Sequence, residues 1–139
     1  MFSKSNLLAT LVGTVVMFFL GYLIWGMATM DFFNEHSLNN VMKEVPNLGL
    51  IAVANLIAVF ALSCLYSKWA RGHHSIAQGF QFGAWIGIFV GIGMGLLQYG
   101  TANLMDLTGH IVEAVLDIIF YGIIGAVIAF VYLKTAAKE

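Results

Sequence analysis

The sequence predicts an all-α fold, an integral membrane four-helix bundle that forms a single domain over residues 1–139. Three observations support this prediction. Hydrophobic residues make up 60% of the chain, and the mean hydropathy of +0.90 is typical of a protein embedded in lipid. Charged residues make up only 9%, whereas soluble domains carry about 25%. Four apolar runs each approach the length of roughly 20 residues with which a helix crosses a bilayer.

The four apolar runs predict four membrane helices, joined by three connections. Their approximate bounds are 7–27, 48–67, 79–99 and 111–133. The first run is longer than the apolar segment of a signal peptide, so we expect it to be retained as a membrane helix. The connection after it is long enough for a short surface helix, where Phe32 and Phe33 can enter the membrane interface.

Basic residues predict the orientation of these helices, because Lys and Arg are enriched in cytoplasmic loops. The termini and the central connection are basic and carry Lys4, Lys68, Arg71, Lys134 and Lys138. The other two connections are acidic and carry Asp31, Glu35, Glu44 and Asp106 against Lys43. We therefore expect both termini on the cytoplasmic side (N-in/C-in) of a bacterial inner membrane.

The third helix contains a row of five glycines at a constant spacing of four residues. In a soluble helix each would cost about 1 kcal/mol relative to alanine, but in a membrane small residues at this spacing let two helices approach closely. Each step of the row drifts by about 40° around the helix, so we expect it to contact two neighbours in succession or one that crosses steeply. The predicted glycine zipper consists of Gly79, Gly83, Gly87, Gly91 and Gly95.

The fourth helix begins with a polar stripe at spacings of four, three and four: Asp106, His110, Glu113 and Asp117. If the helix extends back through the preceding loop, all four lie on one face. Asp117 precedes Lys134 by roughly 25 Å of helix, which places it within the membrane. A buried ionised carboxylate is costly there unless it is paired, hydrated or protonated, so we expect Asp117 to face the bundle interior.

Three interpretations of this stripe stay open. In the first, Asp117 hydrogen-bonds to Asn55 or Tyr22 and thereby fixes helix packing. In the second, Asp117, Glu113 and Asn55 line an outward-facing cavity that handles protons or cations, with His110 as a further titratable group. In the third, His110 and Glu113 bind a metal ion together with a ligand from the first acidic connection.

The sequence lacks the motifs that mark common enzymes: a nucleophile elbow, a phosphate-binding loop, HExxH and CxxC. We therefore expect no enzymatic activity and no cofactor. The net charge of -1 and the absence of a basic block argue against nucleic acid as a partner. The expected partners are the lipid bilayer and either copies of the chain or another membrane protein.

Two functions compete on this basis. In the first, the chain is an oligomeric interaction or accessory subunit that assembles through its glycine-rich helix faces. In the second, it is a proton- or cation-linked channel or transporter that uses the carboxylate and histidine cluster of the fourth helix. The first function needs fewer assumptions, whereas the second explains the carboxylates better.

Short motifs along most of the chain resemble those of small bacterial four-helix membrane proteins grouped under a domain of unknown function. These motifs are "FFLGYLIWG" with Gly21 and Trp25, the glycine-rich third helix, His110 at the start of the last helix, and the ending near Gly125 and Ala126. The resemblance implies a four-helix membrane topology. It implies no established activity.

Overall fold

The computed structural model of the chain describes residues 2–136 and contains five helices. Four of them are long and apolar enough to cross a membrane, so the chain is a small polytopic membrane protein in contact with the lipid bilayer. The prediction of an all-α membrane protein is thereby confirmed. The spans are α1 (Lys4–Ala28), α3 (Leu48–Ala70), α4 (Ile76–Thr101) and α5 (Leu107–Thr135), and α2 (Met30–His36) is a short helix between α1 and α3.

Polar residues outside the apolar runs set where the spans begin. At the start of each span a side-chain oxygen accepts a hydrogen bond from a first-turn backbone N–H, a donor that would otherwise have no partner within the helix. For this reason α5 begins at Leu107, although its apolar run begins at residue 111. The four capping residues are Ser3, Asn47, Ser75 and Asp106.

The bundle is packed most closely at its basic end, which we define by Lys4, Lys68, Arg71 and Lys134. In this half, Val59 and Tyr66 of α3 and Ile124 and Ile128 of α5 have no solvent exposure. The opposite, acidic end contains α2 and the connection from α4 to α5. Toward the acidic end, residues 48–57 of α3 and 93–101 of α4 are largely exposed, so these two helices contribute less to the core there.

Polar side chains in the basic-end half hydrogen-bond from one helix to another. A buried polar group without a partner costs about 1–3 kcal/mol, so these bonds remove a penalty that the fold would otherwise carry. They join α1 to α5, α1 to α3, and α3 to α5. The pairs are Thr135 with Ser5 at 2.8 Å, Asn6 with Cys64 at 3.3 Å, and Ser63 with Tyr132 at 3.4 Å.

Four glycines of the predicted row lie directly against the backbone of α5. A Cβ added at Gly83 would overlap the carbonyl oxygen of Tyr121, and one at Gly91 would come within 2.7 Å of the Ala114 Cα. These positions therefore accept no larger residue without a backbone shift. The equivalent contacts join Gly79 to Gly125 and Ala129, and Gly87 to Asp117 and Ile118.

These four glycines thus contact a single neighbouring helix, α5. The drift along a straight α-helix allows either one steeply crossing neighbour or two neighbours in succession. Two features account for this result. The contacts on α5 also recur about every four residues, and two such rows can pack along each other when helices cross. In addition, α4 is π-helical over Ile88–Met94, where the wider turn changes the drift. The exception is Gly95, whose added Cβ would meet only the Val90 carbonyl oxygen, at 4.0 Å.

Candidate functional site

Asp106 caps α5 and does not form part of the polar face of that helix. Its backbone is extended (φ −72°, ψ 173°), so the backward extension of the helix that would align it with the stripe does not occur. One carboxylate oxygen accepts the Gly109 N–H at 2.8 Å, and the other lies 2.7 Å from Nδ1 of His36. The bond from Gly109, and then the bond to His36, hold the pKa of the Asp106 carboxyl below its usual value.

The pair formed by Asp106 and His36 belongs to a contact between the two acidic connections. The backbone N–H of Leu38 donates to Leu104 O at 2.9 Å, and that of Asp106 donates to His36 O at 3.0 Å. The side-chain amide of Asn39 also donates a hydrogen bond to the backbone carbonyl of Asn103. These bonds hold α2 against the start of α5. They also engage Nδ1 of His36 with Asp106.

The other three stripe residues, His110, Glu113 and Asp117, share one cavity of about 420 Å³ between α5 and the second half of α4. The cavity lies beside the π-helical segment, a type of distortion that is frequent at functional sites. No Lys or Arg is found among the described residues that line it. The wall from α4 consists of Val90, Gly91, Met94, Gly95, Leu97, Gln98 and Thr101.

Glu113 is held by a tryptophan from α1. Nε1 of Trp25 donates a hydrogen bond to a Glu113 carboxylate oxygen at 2.9 Å. The indole ring packs edge-on against Phe120, with 4.9 Å between the ring centres. The sequence places Trp25 in a family motif but does not predict this bond, because nothing local connects two residues 88 positions apart.

Asp117 is buried in the cavity wall and has no bonding partner among residues 2–136. Its side chain is 8% exposed, and within residues 2–136 no side chain forms a hydrogen bond or ion pair with it. The bond to Asn55 or Tyr22 that would make Asp117 a purely structural residue is therefore missing. Asn55 lies outside the cavity lining, and Tyr22 is 58% exposed.

His110 is the second polar residue of the cavity wall with an unsatisfied atom. Its side chain is 6% exposed, and its buried Nε2 has no hydrogen-bond partner in the described part of the chain. The imidazole lies edge-on to the ring of Tyr99, at 5.3 Å between ring centres. Because buried polar atoms nearly always have partners, an exception of this kind is typical of strain, bound water or a ligand site.

The described residues provide no group of three His, Cys, Asp or Glu side chains that could hold a metal ion. Protein zinc sites generally use three or four protein ligands. His110 and Glu113, the two predicted metal ligands, therefore lack a third ligand in residues 2–136. Glu35, which would be the nearest carboxylate in the first acidic connection, is exposed.

A second cavity, of about 540 Å³, lies at the basic end beside residues 72–75 and Tyr132. The ring of His74 packs against that of Tyr132, at 5.0 Å between ring centres. Burial, and then the charge of His73, lower the pKa of His74 below its usual value.

Comparison of the chain with known protein families, curated proteins and solved structures finds no match. Of the resemblance drawn from short motifs, the fold supports only the general part: a small membrane protein with four candidate spans. No family is identified. Functional inference consequently depends on the residues themselves, above all on those of the cavity between α4 and α5.

Proposed function

We propose that the protein binds protons or cations in the cavity between α4 and α5 and couples this binding to their passage across the membrane. The observation that carries the proposal is the setting of Asp117. This carboxyl group lies 8% exposed on a cavity wall within a membrane span, without a bonding partner in residues 2–136. Ionisable residues in such positions are costly and commonly mark ion or proton pathways.

The charges around Asp117 support the same conclusion. Glu113 precedes it by four residues and lines the same cavity, so two carboxyl groups face a space that receives no Lys or Arg from the described chain. When both carboxyl groups are ionised, their negative charges repel each other across about one helical turn, and a bound proton or cation relieves the repulsion. Trp25 orients Glu113, whereas Asp117 remains available to a ligand. His110 adds an imidazole to the same cavity wall, and its Nε2 has no partner in residues 2–136.

The competing function, an accessory subunit assembled through its glycine row, has less support. Gly79, Gly83, Gly87 and Gly91 are in contact with α5 of the same chain, so a partner cannot use them without displacing that helix. A different surface, residues 48–57 of α3, exposes Leu50, Ile51, Val53, Leu56 and Ile57, which either lipid or a partner chain can cover. We retain assembly through this apolar surface as a second candidate, to be tested by native mass spectrometry of the protein in mild detergent.

We also infer that the basic end faces the cytoplasm of a bacterial cell, as the distribution of Lys and Arg indicates. In a Cys64→Ser background, a cysteine at Asn39 should then react with a membrane-impermeant maleimide in intact cells. A cysteine at His73 should react only after lysis. The opposite pattern of labelling would reverse the orientation.

Transport is tested with the full chain reconstituted in liposomes under proton, sodium and tetramethylammonium gradients. We expect flux from the parent protein and a loss of flux, to near the level of protein-free liposomes, in Asp117→Asn. The amide has the shape of the carboxyl group but neither releases a proton nor neutralises a cation. Asp106→Asn is the matched control, because it changes an acid that lies outside the cavity.

Two results would contradict the proposal. One is the absence of flux from correctly inserted parent protein under all three gradients. The other is equal flux from the parent and from Asp117→Asn. Size-exclusion profiles and circular dichroism of each variant show whether a loss of flux accompanies a loss of folding. If Asp117→Asn does not fold, Glu113→Gln tests the second carboxyl group of the same cavity.

A further inference from the structure

Building on the proposed function, we infer that the ligand of the cavity is an organic ammonium ion with an apolar body. Three features of the cavity support this chemical class: its size, the division of its lining into acidic and apolar parts, and the absence of partners for its buried polar groups. The first two features argue against a bare proton or a monatomic ion as the sole occupant, and the third shows where a ligand would find polar partners.

The size of the cavity fits a small molecule. Its volume is about 420 Å³, whereas protein sites for small molecules measure roughly 300–1,000 Å³ and a water molecule occupies about 30 Å³ in the liquid. A proton or a single metal cation would leave most of this volume to water. That arrangement is unfavourable beside the apolar part of the wall, which an organic body would cover instead.

The lining of the cavity separates charge from apolar surface. Carboxyl groups come from α5, at Glu113 and Asp117, whereas α4 contributes Val90, Met94 and Leu97. An ammonium group would neutralise the carboxylates while an apolar substituent packs against the α4 side. Methionine suits such a wall, because its flexible side chain adapts to irregular ligands. Met94 and Leu97 are also 47% and 57% exposed, so the apolar side of the cavity is accessible.

The cavity is more than a cluster of acids, because two of its polar side chains are buried and have an atom or group without a partner among the described residues. Asp117 is 8% exposed and has no hydrogen-bond or ion-pair partner within residues 2–136. His110 is 6% exposed, and its Nε2 lacks a partner in the same part of the chain. In the basic-end half, by contrast, Ser5 bonds to Thr135 and Ser63 to Tyr132, each on another helix.

Binding is measured through Trp25, whose hydrogen bond to Glu113 places it beside the cavity. The chain contains three tryptophans, so Trp69→Phe combined with Trp85→Phe leaves Trp25 as the sole reporter. The probe is benzyltrimethylammonium, added to this variant in mild detergent. Neopentylbenzene, its neutral isostere, and sodium ions serve as control ligands. We expect a saturable fluorescence change with benzyltrimethylammonium alone, and its loss when Asp117→Asn is added.

Two glycine variants test whether the probe occupies this cavity. Gly95 lines the cavity, and an added Cβ there meets only the Val90 carbonyl oxygen, at 4.0 Å. Gly95→Leu should therefore fill the cavity without a backbone clash and weaken probe binding by about tenfold or more. Gly93→Leu is the matched control, because Gly93 lies outside the cavity lining and its added Cβ meets nothing within 4 Å.

Failure of the ligand class and failure of the proposed function give different results. Flux that depends on Asp117, together with no binding of benzyltrimethylammonium, overturns the ligand class and leaves the proposed function standing. Saturable probe binding that Gly95→Leu weakens, together with no flux under any gradient, overturns transport and supports the ligand class. Equal binding by the parent, Asp117→Asn and Gly95→Leu overturns the assignment of the probe to this cavity.

Discussion

The two halves of the bundle differ in what their buried polar groups contact. In the basic-end half, polar side chains bond to one another between helices, as Thr135 does to Ser5 at 2.8 Å. In the acidic-end half, Asp117 and His110 are buried to a similar degree, yet the Asp117 carboxyl group and His110 Nε2 have no partner in residues 2–136. Paired polar groups stabilise a fold, whereas unpaired ones reduce its stability and are typical of sites that bind something else.

The glycines of α4 show the same contrast. From Gly79 to Gly91 the row lies against the backbone of α5, so small size is needed for helix packing. After Gly91, the glycines Gly93 and Gly95 have open space where a Cβ would be added, and Gly95 lines the cavity. One helix thus uses the same residue type for close contact in one half and for empty volume in the other.

The largest effect is expected from Gly83→Leu, which places a side chain onto the carbonyl oxygen of Tyr121. Because backbone on both sides would have to move, we expect a loss of about 3 kcal/mol or more in stability, or failure to fold. Gly93→Leu, on the same helix but in open space, should unfold at nearly the parent temperature. Thermal unfolding in detergent measures both variants. Equal melting temperatures for them would remove the contrast between the two halves of α4.

A smaller effect is expected from Trp25→Phe, which keeps an aromatic ring near Phe120 but removes the hydrogen bond to Glu113. We expect a loss of about 1 kcal/mol, the usual size of such a bond. Trp85→Phe is the control, because Trp85 is 55% exposed and lies outside the cavity lining. Equilibrium unfolding of both variants provides the comparison. An equal loss from the control would show that the bond does not stabilise the acidic-end half.

The smallest effect is expected from Asp106→Asn at the exposed end of α5, and it should depend on pH. The folded state lowers the pKa of this carboxyl group, so its contribution to stability is present above the unfolded value of about 3.9 and is lost as pH falls through the folded value. The parent should therefore melt at a higher temperature than the variant at pH 6. The difference between the two should begin to shrink as pH falls below about 4.

Glu44→Gln is the matched control for this pH series, because it removes one carboxylate at the same end without touching the cap of α5. It should leave the melting temperature almost unchanged. A difference between the parent and Asp106→Asn that stays constant from pH 6 to about pH 3 would show that the charge of Asp106 does not contribute.

The spans were predictable because hydropathy is a local property that a single segment carries. The helix that the glycine row contacts was less predictable, because these contacts depend on α5 and on the π-helical turn of α4. The cap at Asp106 had a local signal, an acidic residue just before an apolar helix, which competed with the four-residue spacing of the stripe. The hydrogen bond from Trp25 to Glu113 had no local signal in the sequence, because only tertiary packing joins α1 to α5 there.

The π-helical segment Ile88–Met94 also sets the angular phase of everything that follows it in α4. If the same residues formed an ordinary α-helix instead, residues 95–101 would rotate by about 100°. Gln98 and Thr101 would leave the cavity wall, while Gly79 and Gly83 would keep their places on α5. The wider π-helical turn thus separates the part of α4 that builds the bundle from the part that shapes the cavity.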